Sequence, residues 1–399
     1  NLIVETDSLQ MGFYDMMQRC QDEWLKRLHT IDVVDSDTAK VNQFYGAMYR
    51  ASFLPREMSD CNGDYPEFST GITKHIDSSL LSLHSSLKML SLLLASFLTL
   101  VELNCENLFD CHHDSLKQDY AFLPDGTYHW TPNKYWKKLN NIGQTILSCS
   151  DSTTLMVPDI VALTEVENDS VMRDLTKRSL LRNAKYEYIM TSSPDIRGID
   201  VVLMYSPASF HPLFHASIPV PMPEGSRPTR DILYVKGETH AINSLHLFVV
   251  HAPSRAGGEL RTRKFRMLVA EKVCHVIDSI NNADKDAHIV VVGDFNDYAK
   301  DASLKYFSNH GMTNISASAK GSYGAKGTYR YQGEWGSLDH ILINDNMLKR
   351  RLSCRINDAP FLTEEDAKFG GRKPRRNFVG PSWRNGYSDH LPLVAVFSH

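Results

Sequence analysis

The stretch "HIVVVGDFNDYAK" runs from His288 to Lys300, and its reading decides the fold. Ile289, Val290, Val291 and Val292 are strand formers in an unbroken apolar run, as expected of a buried strand. Gly293 closes the run, and Asp294 and Asn296 follow at alternate positions. On a strand, residues i and i+2 point the same way, so both polar side chains can reach one small polar site.

Similar runs recur on either side of it. Strands are expected at "LTLVELN", "DIVALTEV", "YEYIMTS", "DVVLMYS", "DILYVKG", "LHLFVVHA", "HIVVVGDF", "TYRYQG", "LDHILIN" and "PLVAVF". Helical spacing places one helix at 134–147, with Tyr135, Leu139, Ile142 and Ile146 on one face. A second is expected over about 259–282, where Phe265, Leu268, Val269, Val273, Val276, Ile277 and Ile280 form an apolar stripe. About ten strands with few helices between them point to two packed sheets flanked by helices, an α/β (α+β) chain.

Polar residues recur where these strands stop: Asn104, Glu165, Asp200, His251, Asp294, Asn296, Asp339, Asp389 and His390. A charged group at the end of an apolar strand is costly unless it is paired or bound to metal. Any one of them reads most simply as a loop cap or a surface residue. A whole set of carboxylates, amides and imidazoles without thiolates instead suits a hard cation such as Mg²⁺ or Mn²⁺.

Charge and cysteine usage narrow the classes. The 399 residues carry a net charge of −4. Residues 1–75 hold 7 Lys/Arg against 12 Asp/Glu, and the remainder holds 36 against 35. That near-neutral remainder lacks the basic excess usual in a non-specific DNA binder. The seven cysteines form no CxxC pair and are odd in number, which argues against a zinc site or a disulfide framework and for small buried thiols. Cys105 and Cys111 could pair in an oxidising compartment, a reading set below that of free thiols.

The chain divides into three zones. Residues 1–75 mix helical spacing (Phe13, Met17, Trp24, Leu28) with the turn-rich "SDCNGDYPEFSTG". Residues 76–97 hold an apolar signal-like or linker helix, since no acidic residue occurs from Ser78 to Val101. The apolar core, Met89 to Leu100, is too short to span a membrane. It has the size of a signal-peptide core with Lys88 before it, but lies far from the N-terminus. A buried helix leading into the first strand is the alternative. Residues 98–399 form the strand-rich domain.

That domain resembles the endonuclease/exonuclease/phosphatase superfamily, through the ordered motifs "NCENLFD", "ALTEVEND", "RGIDVVLMY", "VVHAPSRAGG", "VVVGDFNDY", "GSLDHILIN" and "SDHLPL". Each motif alone is weak, but the full order is specific. The resemblance implies a four-layered αββα sandwich of two mixed sheets, carrying here a small N-terminal helical and loop appendage. It implies a divalent-metal-dependent phosphoesterase with the site at one end of the sheets. Glu165 would be the principal metal ligand, with Asn104 and Asp389 near the metal. Asp294 would orient or deprotonate the attacking water, and Asn296 would bond a phosphate oxygen. His390, oriented by Asp339, would bind phosphate, and His251 would protonate a leaving group. Asp200 is a looser candidate for the partner of His251 and, with Arg255, for substrate contact. Such acid–base help is worth about 10²–10⁴ in rate.

Residues 1–75, through "VNQFYGAMYRASFLPREMSDCNGDYPEF", resemble part of a glycoside hydrolase family that contains calcium-dependent exo-α-mannosidases. The catalytic carboxylates of those longer enzymes lie downstream of this stretch, so it reads as a fragment fused ahead of a phosphoesterase. A family-specific helical extension is the alternative. On the fused-fragment reading Met89 would be an original start, with export to the periplasm or medium if that run is used and a cytoplasmic place otherwise.

Two weaker signals remain. Five Lys/Arg fall within residues 368–376, a run able to guide a polyanion or simply to be solvated. Tyr128, Trp130, Tyr135 and Trp136 lie together, either to stack on a base or sugar or to pack the following helix, as expected of Trp136. The expected partner is a phosphoester, nucleic acid first and a lipid or sugar phosphate second. A monomer without a stable protein partner is expected. A non-catalytic binding scaffold is the reading from another class, and the complete acidic and imidazole set speaks against it.

Overall fold

The computed structural model describes residues 64–66, 73–75, 97–150 and 157–398. The chain separates into two units, Asn1–Ser96 and Phe97–His399. In the first unit Asp64–Pro66 pairs antiparallel with Thr73–His75. The helical spacing expected before residue 64 and most of the apolar run from Met89 lie outside the described residues. The last residues of that run enter the first strand of the second unit.

Twelve strands of the second unit form two sheets. They are β1 (Phe97–Leu108), β2 (Ile160–Val166), β3 (Glu187–Met190), β4 (Asp200–Tyr205), β5 (His211–Ile218), β6 (Ile232–Glu238), β7 (Leu245–His251), β8 (His288–Asp294), β9 (Thr313–Asn314), β10 (Asp339–Ile343), β11 (Arg351–Ile356) and β12 (Leu393–Ser398). One sheet has the order β11-β12-β1-β2-β4-β3 and the other β9-β10-β8-β7-β6-β5. Each is mixed: β1 with β2 and β7 with β8 are parallel, and the other pairs are antiparallel.

Side-chain parity shows how the layers stack. Leu98 and Leu100 of β1, Ile160 and Ala162 of β2, Leu247 and Val249 of β7, Val290 and Val292 of β8, and Ile341 and Ile343 of β10 meet in one core between the sheets. Their alternates face outward. Val101, Leu103, Val161 and Leu163 pack beneath α1 (Pro132–Leu147) and α2 (Asp169–Lys177), through Tyr135, Leu139, Ile142, Ile146, Val171 and Leu175. Phe248, Val250, Ile289 and Val291 pack beneath α3 (Glu259–Ala283) and α4 (Ala302–Asn309), through Val269, Val273, Ile277, Leu304 and Phe307. Three apolar clusters separate four layers, helix, sheet, sheet and helix, so the αββα sandwich is the fold. Each Val, Leu, Ile or Phe side chain among them contributes roughly 1.5–3 kcal/mol on burial.

The apolar runs read as strands from the sequence, and both expected helices, are present. "TYRYQG" is not in either large sheet. Its Tyr329–Tyr331 pairs with Glu334–Gly336 in a separate ribbon. Three strands escaped the reading, β5, β9 and β11, and all three are sheet edges. Trp130 is fully buried, while Trp136, expected in the core, is only partly so. Cys105, Cys111, Cys149, Cys274 and Cys354 are free. No helix among the described residues is long and apolar enough to cross a membrane.

Candidate active site

The inward parity of the core strands continues to their ends and assembles the site. On β8, Val290 and Val292 face the other sheet, so Asp294 does too. By the same count Asn104 follows Leu98 and Leu100, His251 follows Leu247 and Val249, and Asp339 precedes Ile341 and Ile343. Register brings them into line: Asp294 is opposite His251 on one side and Asp339 on the other. The polar ends of four strands therefore share one buried end of the sandwich.

Two backbone features tune this end. Gly293 has φ +140, and a Cβ there would lie 1.9 Å from the Val250 carbonyl oxygen on β7. Only glycine permits that approach just before Asp294. On β2 the register with β1 and β4 shifts between Thr164 and Val166. Glu165 occupies this bulge with φ +61, and Glu106, Asn107 and Asn296 are also left-handed. Bulges re-aim a side chain, and this one turns Glu165 toward the site, where its Oε2 accepts from Asn107 N at 2.9 Å.

Asp294 is the hub. Its Oδ2 accepts from Asn104 Nδ2 at 3.1 Å and Asn296 Nδ2 at 3.3 Å, and its Oδ1 accepts from Asn296 N at 2.8 Å. Burial, and then the charge of Asp339, push its carboxyl up to about 7. His390 Nδ1 bonds Asp339 Oδ2 at 2.7 Å, and Thr328 Oγ1 donates to the same oxygen. Burial alone would lower His390, but Asp339, Asp389 and Asp294 outweigh it and hold the imidazolium well above the ordinary histidine value. His251 Nε2 stands 3.8 Å from Glu165 Oε1 and 3.8 Å from Asp294 Oδ2. Complete burial, with Arg230 and Arg197 nearby, nevertheless holds its imidazole neutral, well below the ordinary value.

Asp294, Asn296, Asn104, Glu165, His251, Asp339 and His390 are thus brought together. The other three residues expected here have partners of their own. Asp389 Oδ2 is bonded by Arg376 Nη2 at 3.0 Å, and the same guanidinium reaches Glu106 Oε1 at 3.2 Å. Arg255 is tied to Asp297, Asp301 and Glu259 at 3.1, 2.9 and 2.7 Å. Asp200 Oδ1 accepts from Thr191 Oγ1 at 2.6 Å and from Ser193 N at 2.9 Å. No hydrogen bond joins it to His251, whose Nδ1 is buried without a partner.

The donor set fits a hard divalent cation. Asp294, Asp339 and His390 offer ligand atoms within 4.8 Å of one another. Glu165 and Asn104 add oxygens beside them, and Cys105 is no competitor, because burial pushes its thiol up to about 12. The Asp339–His390 contact is itself a short hydrogen bond, so the oxygen-rich side of Asp294 is the better seat for a cation.

The sequence reading missed Glu102. It is fully buried two residues before Asn104 on the same inward face, and both its carboxyl oxygens lack a partner, as does Asp339 Oδ1. Burial, and then the charges of Asp339 and Asp294, drive its carboxyl well above the usual range. A protonated carboxyl can donate to the vacant Asp339 oxygen. Strand parity could have found it. Thr328 and Arg230 lie on loops or short ribbons and left no such signal.

Residues 99–399 match the Endonuclease/Exonuclease/phosphatase family, and residues 1–91 match the Glycosyl hydrolase family 92 catalytic domain, past the boundary expected at 75. No curated protein matches the chain. Among solved structures, an endonuclease/exonuclease/phosphatase family protein from Bacteroides thetaiotaomicron is 15% identical, with TM-score 0.49, over 75% of this chain and 97% of that one. A mannosyl-6-phosphatase from Bacteroides thetaiotaomicron is 15% identical with TM-score 0.49 (76% and 100% covered). The human Nocturnin catalytic domain is 18% identical with TM-score 0.46 (76% and 94% covered). The match over 99–399 takes in both sheets and every residue of the site, so the chain belongs to the Endonuclease/Exonuclease/phosphatase family and is a phosphoric ester hydrolase.

Proposed function

We propose that the chain hydrolyses phosphodiester bonds with a divalent cation, Mg²⁺ or Mn²⁺, and that nucleic acid is its leading substrate class. The observation that carries this reading is the convergence of Asp294, Asn104, Asn296, Glu165 and the His390–Asp339 pair at one end of the sandwich. Glu165, with Asn104, would hold the cation, which when bound neutralises phosphate charge and favours the hydroxide form of water.

The chain's own groups divide the remaining work. Asp294 accepts a proton from the attacking water, and a carboxyl near 7 is matched to that task. Asn104 and Asn296 fix the rotamer of Asp294 by occupying its oxygens. As the bond from water to phosphorus forms, the bond to the leaving oxygen breaks. The proton for that oxygen comes from His390, whose Nδ1 faces Asp339 and whose Nε2 is therefore the nitrogen free to donate. His251 is assigned a different part from the leaving-group acid first expected. Burial disfavours its charged form, and a neutral imidazole with its proton on Nε2 turns that N–H toward Glu165 and Asp294, so it orients these carboxylates.

A smaller sugar or lipid phosphate is the second reading, favoured by the state of the basic run at 368–376. Arg372 is bonded to Thr363 and Pro360, Arg376 to Glu106 and Asp389, and Lys373 lies 3.7 Å from Glu364. Two of the five charges of that run, Lys373 and Arg376, are thus countered by carboxylates, which leaves fewer to attract a duplex. Rates on bis(p-nitrophenyl) phosphate, p-nitrophenyl phosphate and plasmid DNA between 50 and 200 mM salt separate the readings. Diester turnover with salt-sensitive nicking supports nucleic acid. Preference for the monoester contradicts it.

A further inference from the structure

Lys138 is fully buried on α1, between Tyr135 and Ile142, at 1% exposure. A buried ammonium is costly unless its charge and hydrogens are used. Its Nζ donates to the backbone carbonyl of Tyr387, which stands two residues before Asp389 and three before His390. Two more side chains on the same stripe of α1 hold the same loop. Asn141 Nδ2 donates to Gly386 O at 2.8 Å, and Gln144 Oε1 accepts from Tyr387 Oη at 3.1 Å. Positions three apart share a helix face, so one side of α1 is a polar clamp on the segment that delivers His390.

The other side of that segment is pinned to β1. Ser388 Oγ donates to Asn104 O at 2.6 Å and accepts from His390 N at 3.1 Å. Between the two pins the backbone has little freedom. Burial lowers the Lys138 ammonium from the ordinary lysine value, and the nearby charges of Glu106, Asp389 and Glu165 work against that loss. A neutral side chain of the same length would fill the space and supply neither the donor nor the charge.

We infer that Lys138 is a positioning residue for His390, its Nζ donating to the Tyr387 carbonyl and so fixing where the imidazole stands against Asp339 and Asp294. Its catalytic consequence rests on the phosphoesterase reading; the positioning itself does not. The test compares full-length wild type with Lys138→Met, Lys138→Arg and an Asn141→Ala/Gln144→Ala double variant. For each, kcat and KM on bis(p-nitrophenyl) phosphate with Mn²⁺, the thermal midpoint, and the downfield proton resonance of His390 Nδ1–H are recorded. Lys138→Met should lower kcat roughly 10–100-fold, the scale of a misplaced catalytic group, with KM within about twofold. It should shift or broaden the His390 resonance, and Lys138→Arg should recover part of both. A Lys138→Met protein with wild-type kcat and an unmoved resonance overturns the inference. If that variant does not fold, the double variant decides: an unmoved His390 resonance there overturns it as well. A wild type that turns over no phosphoester would sink the functional reading, and the resonance would still settle the positioning claim.

Discussion

Asp294 sits under two opposed demands. A general base must lose its proton near working pH, yet this carboxyl is buried beside Asp339 and is pushed up to about 7. The neighbouring His390 is also pushed up, by Asp339, Asp389 and Asp294 against its burial, and stays cationic above the ordinary histidine range. Carboxyl carbon and imidazole resonances of the metal-free protein should show this directly. Asp294 is expected to titrate near pH 7, His390 to remain protonated past the usual range, and His251 to stay neutral. Asp339→Asn removes the charge that holds the imidazolium, and should lower kcat about 10²–10⁴-fold while KM changes little. These residues were legible because strand parity points them inward from apolar runs. Asp200 and Arg255 carried equally suggestive letters, and the structure ties them to neighbours instead. Which polar end residue pairs locally is decided by side-chain contacts that spacing does not record.

At the scale of elements, the bulge at Glu165 and the close approach at Gly293 aim the site. Gly293→Ala would place a Cβ against the Val250 carbonyl oxygen, in a backbone conformation that suits glycine. Overpacking of this kind costs about 1–3 kcal/mol. Thermal unfolding should report a loss of at least that size, together with lost activity from a displaced Asp294. The same scale explains what the sequence hid. Strands buried on both faces read as continuous apolar runs, and those were found. β5 is an edge strand with mostly exposed side chains and a proline, and β11 is an exposed edge as well. Neither offers alternation to detect, and β9, also an edge, is only two residues long. The bulge left no trace either, because one extra residue in a register changes pairing and not composition.

For the whole molecule, burying so many carboxyls has a consequence for stability. Burial pushes Glu106 to about 7 and Glu167 to about 9, and it drives Glu102 well above the usual range, alongside Asp294 at about 7. A folded-state pKa raised above the unfolded value gives stability that is full below about pH 4 and is lost as pH rises through the folded pKa. In EDTA, the thermal midpoint should therefore fall by several degrees between pH 5.5 and 8.5, and added Mg²⁺ or Mn²⁺ should recover part of that fall at the higher pH. A midpoint that rises over this window would mean the cluster is not buried as described. The central claim is that Asp294 and a divalent cation together cleave a phosphodiester. Its most direct test is the rate of bis(p-nitrophenyl) phosphate hydrolysis by the full chain with Mn²⁺, with EDTA, and with Asp294→Asn in place of the wild type. Turnover with Mn²⁺ that disappears in both other conditions is the predicted result, and turnover that survives either one would contradict the claim.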